Sequence, residues 1–145
     1  MTARIVLVVL LSALAWFAPA VARAQACLVV DTSIAFGTFD PTAGASKTGQ
    51  GTVRVGCLFQ RVPVTLRLGT GQSLSYASRL MKTAGGASMT YNLYTTAALG
   101  TIWGDGITGG TGTVQCTTGD DSANGCDGQT GFIFYVTYPV YGRID

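Results

Sequence analysis

The sequence predicts an all-β protein built as a β-sandwich. Three observations carry that reading: short segments whose apolar residues recur at every second position, turn-forming clusters between them, and no sustained helical period. Glycine points the same way. It supplies 20 of 145 residues, about twice the usual share, and it collects between the alternating segments.

Taken in chain order, a first strand is expected near residues 27–30. Val53, Val55 and Cys57 then fall on one face, with Thr52, Arg54 and Gly56 opposite. Val62, Val64, Leu66 and Leu68 alternate with Pro63, Thr65 and Arg67. Pro63 has no backbone donor, so that strand begins there or lies at an edge. Another strand is expected near residues 74–81. Met89, Tyr91 and Leu93 alternate with Thr90, Asn92 and Tyr94, which places the two tyrosines on opposite faces. Phe132, Phe134, Val136 and Tyr138 alternate with Ile133, Tyr135 and Thr137. A strand apolar on both faces is either central or the wall of a groove. Turn clusters at 40–51, 69–71, 85–86, 104–112 and 117–131 separate these segments. Trp103 beside the glycine-rich run marks a packed loop, and residues 94–99 have room for one helical turn.

Residues 1–24 have the pattern of a cleaved export signal. Arg4 precedes the apolar run 5–15, Pro19 breaks it, and Ala22-Arg23-Ala24 is a small-x-small cleavage site. The run is shorter than the about 20 residues a membrane span needs, and no later segment is apolar enough. The mature domain is therefore expected at 25–145, exported through a periplasm to the cell surface or beyond, with no membrane span. Four cysteines, Cys27, Cys57, Cys116 and Cys126, lie after the signal. An even count in an exported chain reads as two disulfides. Of the three connectivities, proximity favours Cys116 with Cys126, leaving Cys27 with Cys57.

Composition excludes several functions. There is no histidine, and all seven acidic residues are Asp, so a histidine triad, a histidine metal site and a Glu/Glu acid–base pair are impossible. A cysteine nucleophile lacks its base, and Ser78 and Lys82 stand one residue too far apart for the Ser-x-x-Lys arrangement. The loop aspartates lack the apolar surroundings that split the pKa values of an acid–base pair. The chain reads as no enzyme, with no cofactor. Without Arg4 and Arg23, seven basic residues face seven aspartates. This near-neutral, sparsely charged domain is no nucleic-acid binder and is suited to close association with copies or partners. Asp120, Ser122, Asn124 and Gly125 imitate part of a calcium loop, but Gly131 stands where a bidentate Glu is required. A disulfide-closed hairpin tip is the better account.

Four groups of residues together resemble the spore coat protein U family. Cys27 is followed by Phe36-Gly37 and Asp40-Pro41. Residues 51–57 (GTVRVGC) end a strand in the second cysteine. Arg79-Leu80-Met81, residues 89–95 (MTYNLYT) and residues 102–106 (IWGDG) follow. Residues 140–144 (VYGRI) close the chain. That family is similar to the pilin subunits of archaic chaperone–usher fibres. The resemblance implies an incomplete immunoglobulin-like sandwich, of Greek-key type, whose missing strand comes from another chain by β-strand addition. It implies as partners a periplasmic chaperone, an outer-membrane usher and other pilin subunits.

Only Gln25 and Ala26 precede Cys27 after cleavage, too few for a donor strand, so the resemblance implies a strand acceptor located at a fibre tip. The family continues past Tyr-Gly-Arg-Ile into a final strand, whereas this sequence stops at Asp145. A sandwich short of two strands is therefore expected. The functional expectation is an exported structural subunit of a surface coat or pilus, with Phe132, Phe134, Val136 and Tyr138 as candidate groove residues. Two alternatives stand beside it. One is a secreted carbohydrate- or surface-binding adhesin module using Trp103 and Asp105 as a ligand loop, although Gly and Asp around a Trp also make an ordinary structural turn. The other is a non-functional truncated fragment.

Overall fold

The computed structural model describes residues 26–120 and 125–145. Eight strands form: β1 (Cys27–Ala35), β2 (Lys47–Leu58), β3 (Pro63–Leu66), β4 (Arg79–Lys82), β5 (Ser88–Tyr94), β6 (Val114–Thr117), β7 (Asp127–Gln129) and β8 (Ile133–Ile144). The larger antiparallel sheet runs β1-β2-β8-β5-β4, with β7 also paired to β8. The smaller sheet is β3 paired with β6. The protein is thus all-β and sandwich-like, with layers of very unequal size. The candidate signal and its cleavage site lie outside the described residues.

The apolar two-residue period decides which face is buried. Directly opposed residues share a face, and the register sets Val53 against Tyr138 and Val55 against Val136. Leu93 lies opposite Gly142. Val55, Val136, Tyr138 and Val140 form the core with Trp103, Val114, Cys116 and Cys126 from the second layer and its loops. The strand apolar on both faces, β8, is the central one. It pairs with β2 along its whole length, and on its other edge with β7 and then β5. Pro139 falls between those last two pairings, on a stretch of that edge with no strand partner among the described residues. A proline is tolerated best where no ladder bond is required of it.

Several expected boundaries move. The expected turn cluster at 40–51 already belongs to β2 from Lys47 onward. Gly51 of β2 and Gly142 of β8 serve close packing: a Cβ on Gly51 would stand 1.7 Å from the Ser33 carbonyl oxygen, and one on Gly142 2.6 Å from Ile34 Cδ1. Ile34 and Phe36 thereby lie directly on the sheet. The first strand extends to Ala35, with an irregularity between Val29 and Asp31. The strand expected at 74–81 shrinks to β4, because a short 3-10 turn (Gly71–Ser73) and the left-handed Leu74 occupy the approach to it. The cluster at 117–131 hides β7, too short and polar to alternate visibly.

Both disulfides pair as proximity favoured. Cys27–Cys57 joins register partners of β1 and β2. Cys116–Cys126 joins β6 to the residue preceding β7, and so ties the small layer to the large sheet.

Candidate functional site

The conspicuous sequence motifs converge on one buried network. Trp103 is 1% exposed. Its backbone N–H donates to Leu93 O at 2.8 Å, and its indole Nε1–H donates to Leu66 O at 3.0 Å. One residue therefore links β5, through its backbone, to β3, through its side chain. Its ring meets Tyr138 edge-on, with centroids 5.4 Å apart. The Tyr138 hydroxyl donates to the Thr95 carbonyl, and burial raises its pKa.

Arg79, also 1% exposed, completes the network. It donates from Nε to Gly69 O at 3.0 Å, from Nη1 to Asn92 Oδ1 at 2.6 Å and from Nη2 to Trp103 O at 2.5 Å. All three acceptors are neutral, so desolvation lowers its pKa; Tyr91 and Tyr76 act in the opposite sense. The Tyr76 ring lies 5.2 Å from the guanidinium carbon. Asn92 in turn donates to Tyr76 O and Ala77 O. The Arg-Leu-Met, Asn-Leu-Tyr-Thr and Trp-Gly-Asp-Gly segments are parts of this single arrangement.

Asp105 is spent locally. Its Oδ1 accepts from the backbone N–H of Ile107 at 2.9 Å and of Thr108 at 2.8 Å, and from the Thr111 hydroxyl at 3.0 Å. Its Oδ2 accepts from the Thr108 hydroxyl at 2.7 Å. The backbone bonds of Thr108 and Ile107, then the Thr108 hydroxyl, hold its carboxyl well below the usual carboxylate range. Of the two candidate ligand-loop residues, Trp103 therefore lies in the core, and Asp105 organises its own turn, as such residues commonly do.

The candidate groove residues divide. Val136 and Tyr138 are buried in the core, and Phe134 is half-buried near Gly119. Phe132 lies just outside β8, 71% exposed. Tyr94 is buried and Tyr91 half-buried. Of the calcium-like loop, Ser122 and Asn124 lie outside the described residues. Among the described residues no group of three His, Cys, Asp or Glu could hold a metal ion.

Sequence reasoning missed two features of the surface. The first is the uneven covering of the sheet. Val29 is the register partner of the buried Val55, so it belongs to the core face, yet it is 59% exposed. Ile34, Val53, Val64, Leu66 and Leu68 are only partly buried against the core. The second is the free side of β3. The bonds Thr118 N–H to Val62 O and Leu68 N–H to Gly104 O direct the even-numbered peptide groups of this segment toward β6 and its loops. By the alternation of antiparallel pairing, those of Pro63, Thr65 and Arg67 face the opposite edge, which no strand pairs with among the described residues. Pro63, noted for its missing donor, was the available signal for an edge.

These features define a disulfide-stapled, sandwich-like β fold with a half-clothed core. The Spore Coat Protein U domain family matches residues 13–145, and the chain belongs to it. The family is a structural, pilin-like one of surface and pilus-type subunits. No curated protein and no solved structure matches the chain. Among the described residues no helix is long and apolar enough to cross a membrane.

Proposed function

We propose that this chain is an exported structural subunit of a surface coat or chaperone–usher pilus that accepts a strand from another chain. The single observation carrying the reading is the mismatch of layers. A five-strand path is faced by two strands of four residues each, and one of these, β3, has an edge that no strand pairs with among the described residues. An extended segment laid along Thr65 and Arg67 would gain backbone hydrogen bonds and cover part of the exposed apolar face. Burial of apolar surface contributes about 25 cal/mol per Å². Left bare, such an edge is an aggregation hazard, which gives a periplasmic chaperone its role before the next subunit, delivered at an usher, replaces it.

The test is periplasmic expression of the chain alone and with its cognate chaperone. The expected result is soluble protein only as a one-to-one complex, with the yield of complex strongly reduced by Thr65→Pro, which removes a donor from the free edge. A soluble, cooperatively folding monomer obtained without chaperone would refute strand acceptance.

A further inference from the structure

The face of the large sheet that turns away from the core carries an ordered polar line. Residues directly opposed in register share a face. Asp31 lies opposite Arg54, Arg54 opposite Thr137, and Thr137 opposite Asp127, so β1, β2, β8 and β7 contribute one residue each. Arg54 precedes the buried Val55, which puts the line on the outer face. The small sheet packs on the other side. Asp31 and Asp127 are exposed, and neither has an ion-pair partner among the described residues.

The centre of the line is held in place. The Arg54 guanidinium carbon stands 4.0 Å from the centre of the Tyr135 ring, and Nη2 donates to Gln129 Oε1 at 3.1 Å. Tyr135 lies against β2 because Gly56 is beside it: a Cβ there would stand 2.9 Å from the ring Cε1. A ring and a neutral amide thus fix the guanidinium, although Asp31 is its register partner, and Nη1 bonds nothing among the described residues. Four residues along β2, about 14 Å at the usual rise, Gln50 lies opposite Tyr141. Both line a cleft of about 310 Å³ on the same face, with Ala97 and Leu99 among its walls.

We infer that this face binds a neutral polysaccharide, laid along β2 from the Arg54 line to the Tyr141 cleft. The line sets acceptors that cannot donate, Asp31 and Asp127, beside a donor that cannot accept, Arg54, and a hydroxyl that does both, Thr137. Sugar hydroxyls, each both donor and acceptor, satisfy that mixture. Two carboxylates around one guanidinium turn away an acidic chain. An extended peptide needs free backbone groups, and β2 offers none, being paired with β1 on one edge and β8 on the other. The Tyr141 ring presents a negatively polarised face to the C–H groups of a sugar ring. Between the two contact points lie Thr52 and Pro139, which leave the path low. The site uses neither the Trp103–Asp105 loop nor the β3 edge, so it stands apart from strand acceptance.

The test is affinity electrophoresis of the soluble chain, as its one-to-one chaperone complex, through gels containing dextran, galactomannan, xylan or soluble β-glucan. Polygalacturonate is the acidic counterpart and the chaperone alone the control. A chain that is soluble without chaperone is run alone, so failure of strand acceptance leaves this test intact. The expected result is retardation by at least one neutral polymer and none by polygalacturonate. Asp31→Asn combined with Asp127→Asn is expected to weaken retardation about ten-fold, the order set by losing hydrogen bonds to charged acceptors. Thr52→Trp, at an exposed position, obstructs the path by bulk alone and decides the matter if the double variant lowers yield. Ile107→Ser, on the Asp105 turn, leaves retardation unchanged. No retardation by any neutral polymer, retardation by polygalacturonate alone, or insensitivity to both the aspartate pair and Thr52→Trp would overturn the inference. Loss in Ile107→Ser would overturn it as well, by assigning binding to the Asp105 turn.

Discussion

Replacing Trp103 by alanine separates a core role from a ligand-binding one. The side chain is fully buried, bonds to Leu66 O and packs on Tyr138. Deleting a buried Trp costs about 3–5 kcal/mol through lost transfer energy and the cavity left behind. Part of that is the orphaned Leu66 carbonyl, since an unsatisfied buried acceptor costs about 1–3 kcal/mol. The edge-on contact with Tyr138 contributes about 0.5–1.5 kcal/mol. Trp103→Phe keeps most of the ring but not the N–H, so it is expected to cost about 1–3 kcal/mol. Denaturant unfolding of the one-to-one chaperone complex, followed by far-ultraviolet circular dichroism with the disulfides intact and compared between the parent and variant complexes, measures both. A loss below about 1 kcal/mol for Trp103→Ala would refute the network as the link between layers and return Trp103 to the candidate ligand loop.

Two further outcomes follow from the same network. Arg79→Lys supplies one compact ammonium in place of a planar fork, so it is expected to lower stability by about 1.5–3 kcal/mol, the worth of a hydrogen bond to a charged group; unchanged denaturation midpoints would contradict this. Asp105 has its folded-state pKa depressed below the ordinary value of 3.8 by the bonds in its turn. Its stabilising contribution is therefore complete above the ordinary carboxylate range and lost as pH falls through the depressed value. The stability gap between the parent and Asp105→Asn should narrow on acidification below about pH 4, and a gap independent of pH down to strongly acid conditions would rule out that role.

The all-β class, the buried face of β2 and β8 and the two disulfides follow from local chemistry. Alternation at 53–57 and 132–138 is a direct image of the pleat, and four cysteines admit only three pairings. The motifs Arg-Leu-Met, Asn-Leu-Tyr-Thr and Trp-Gly-Asp-Gly were visible as a set, which sufficed to point to the family. Their joint purpose was not, because the Arg79 guanidinium reaches Gly69, Asn92 and Trp103 only when four separate segments have packed. Gly49 and Gly51 read as turn residues for the same reason: a glycine in sequence does not reveal whether it bends the chain or admits Ile34 and Phe36 against a flat sheet. β7 depends wholly on its neighbour, since three polar residues become a strand only beside β8. The exposure of Val29 and the open edge of β3 are likewise tertiary facts. Periodicity says which face a residue occupies, whereas only the assembled layers decide whether anything covers it.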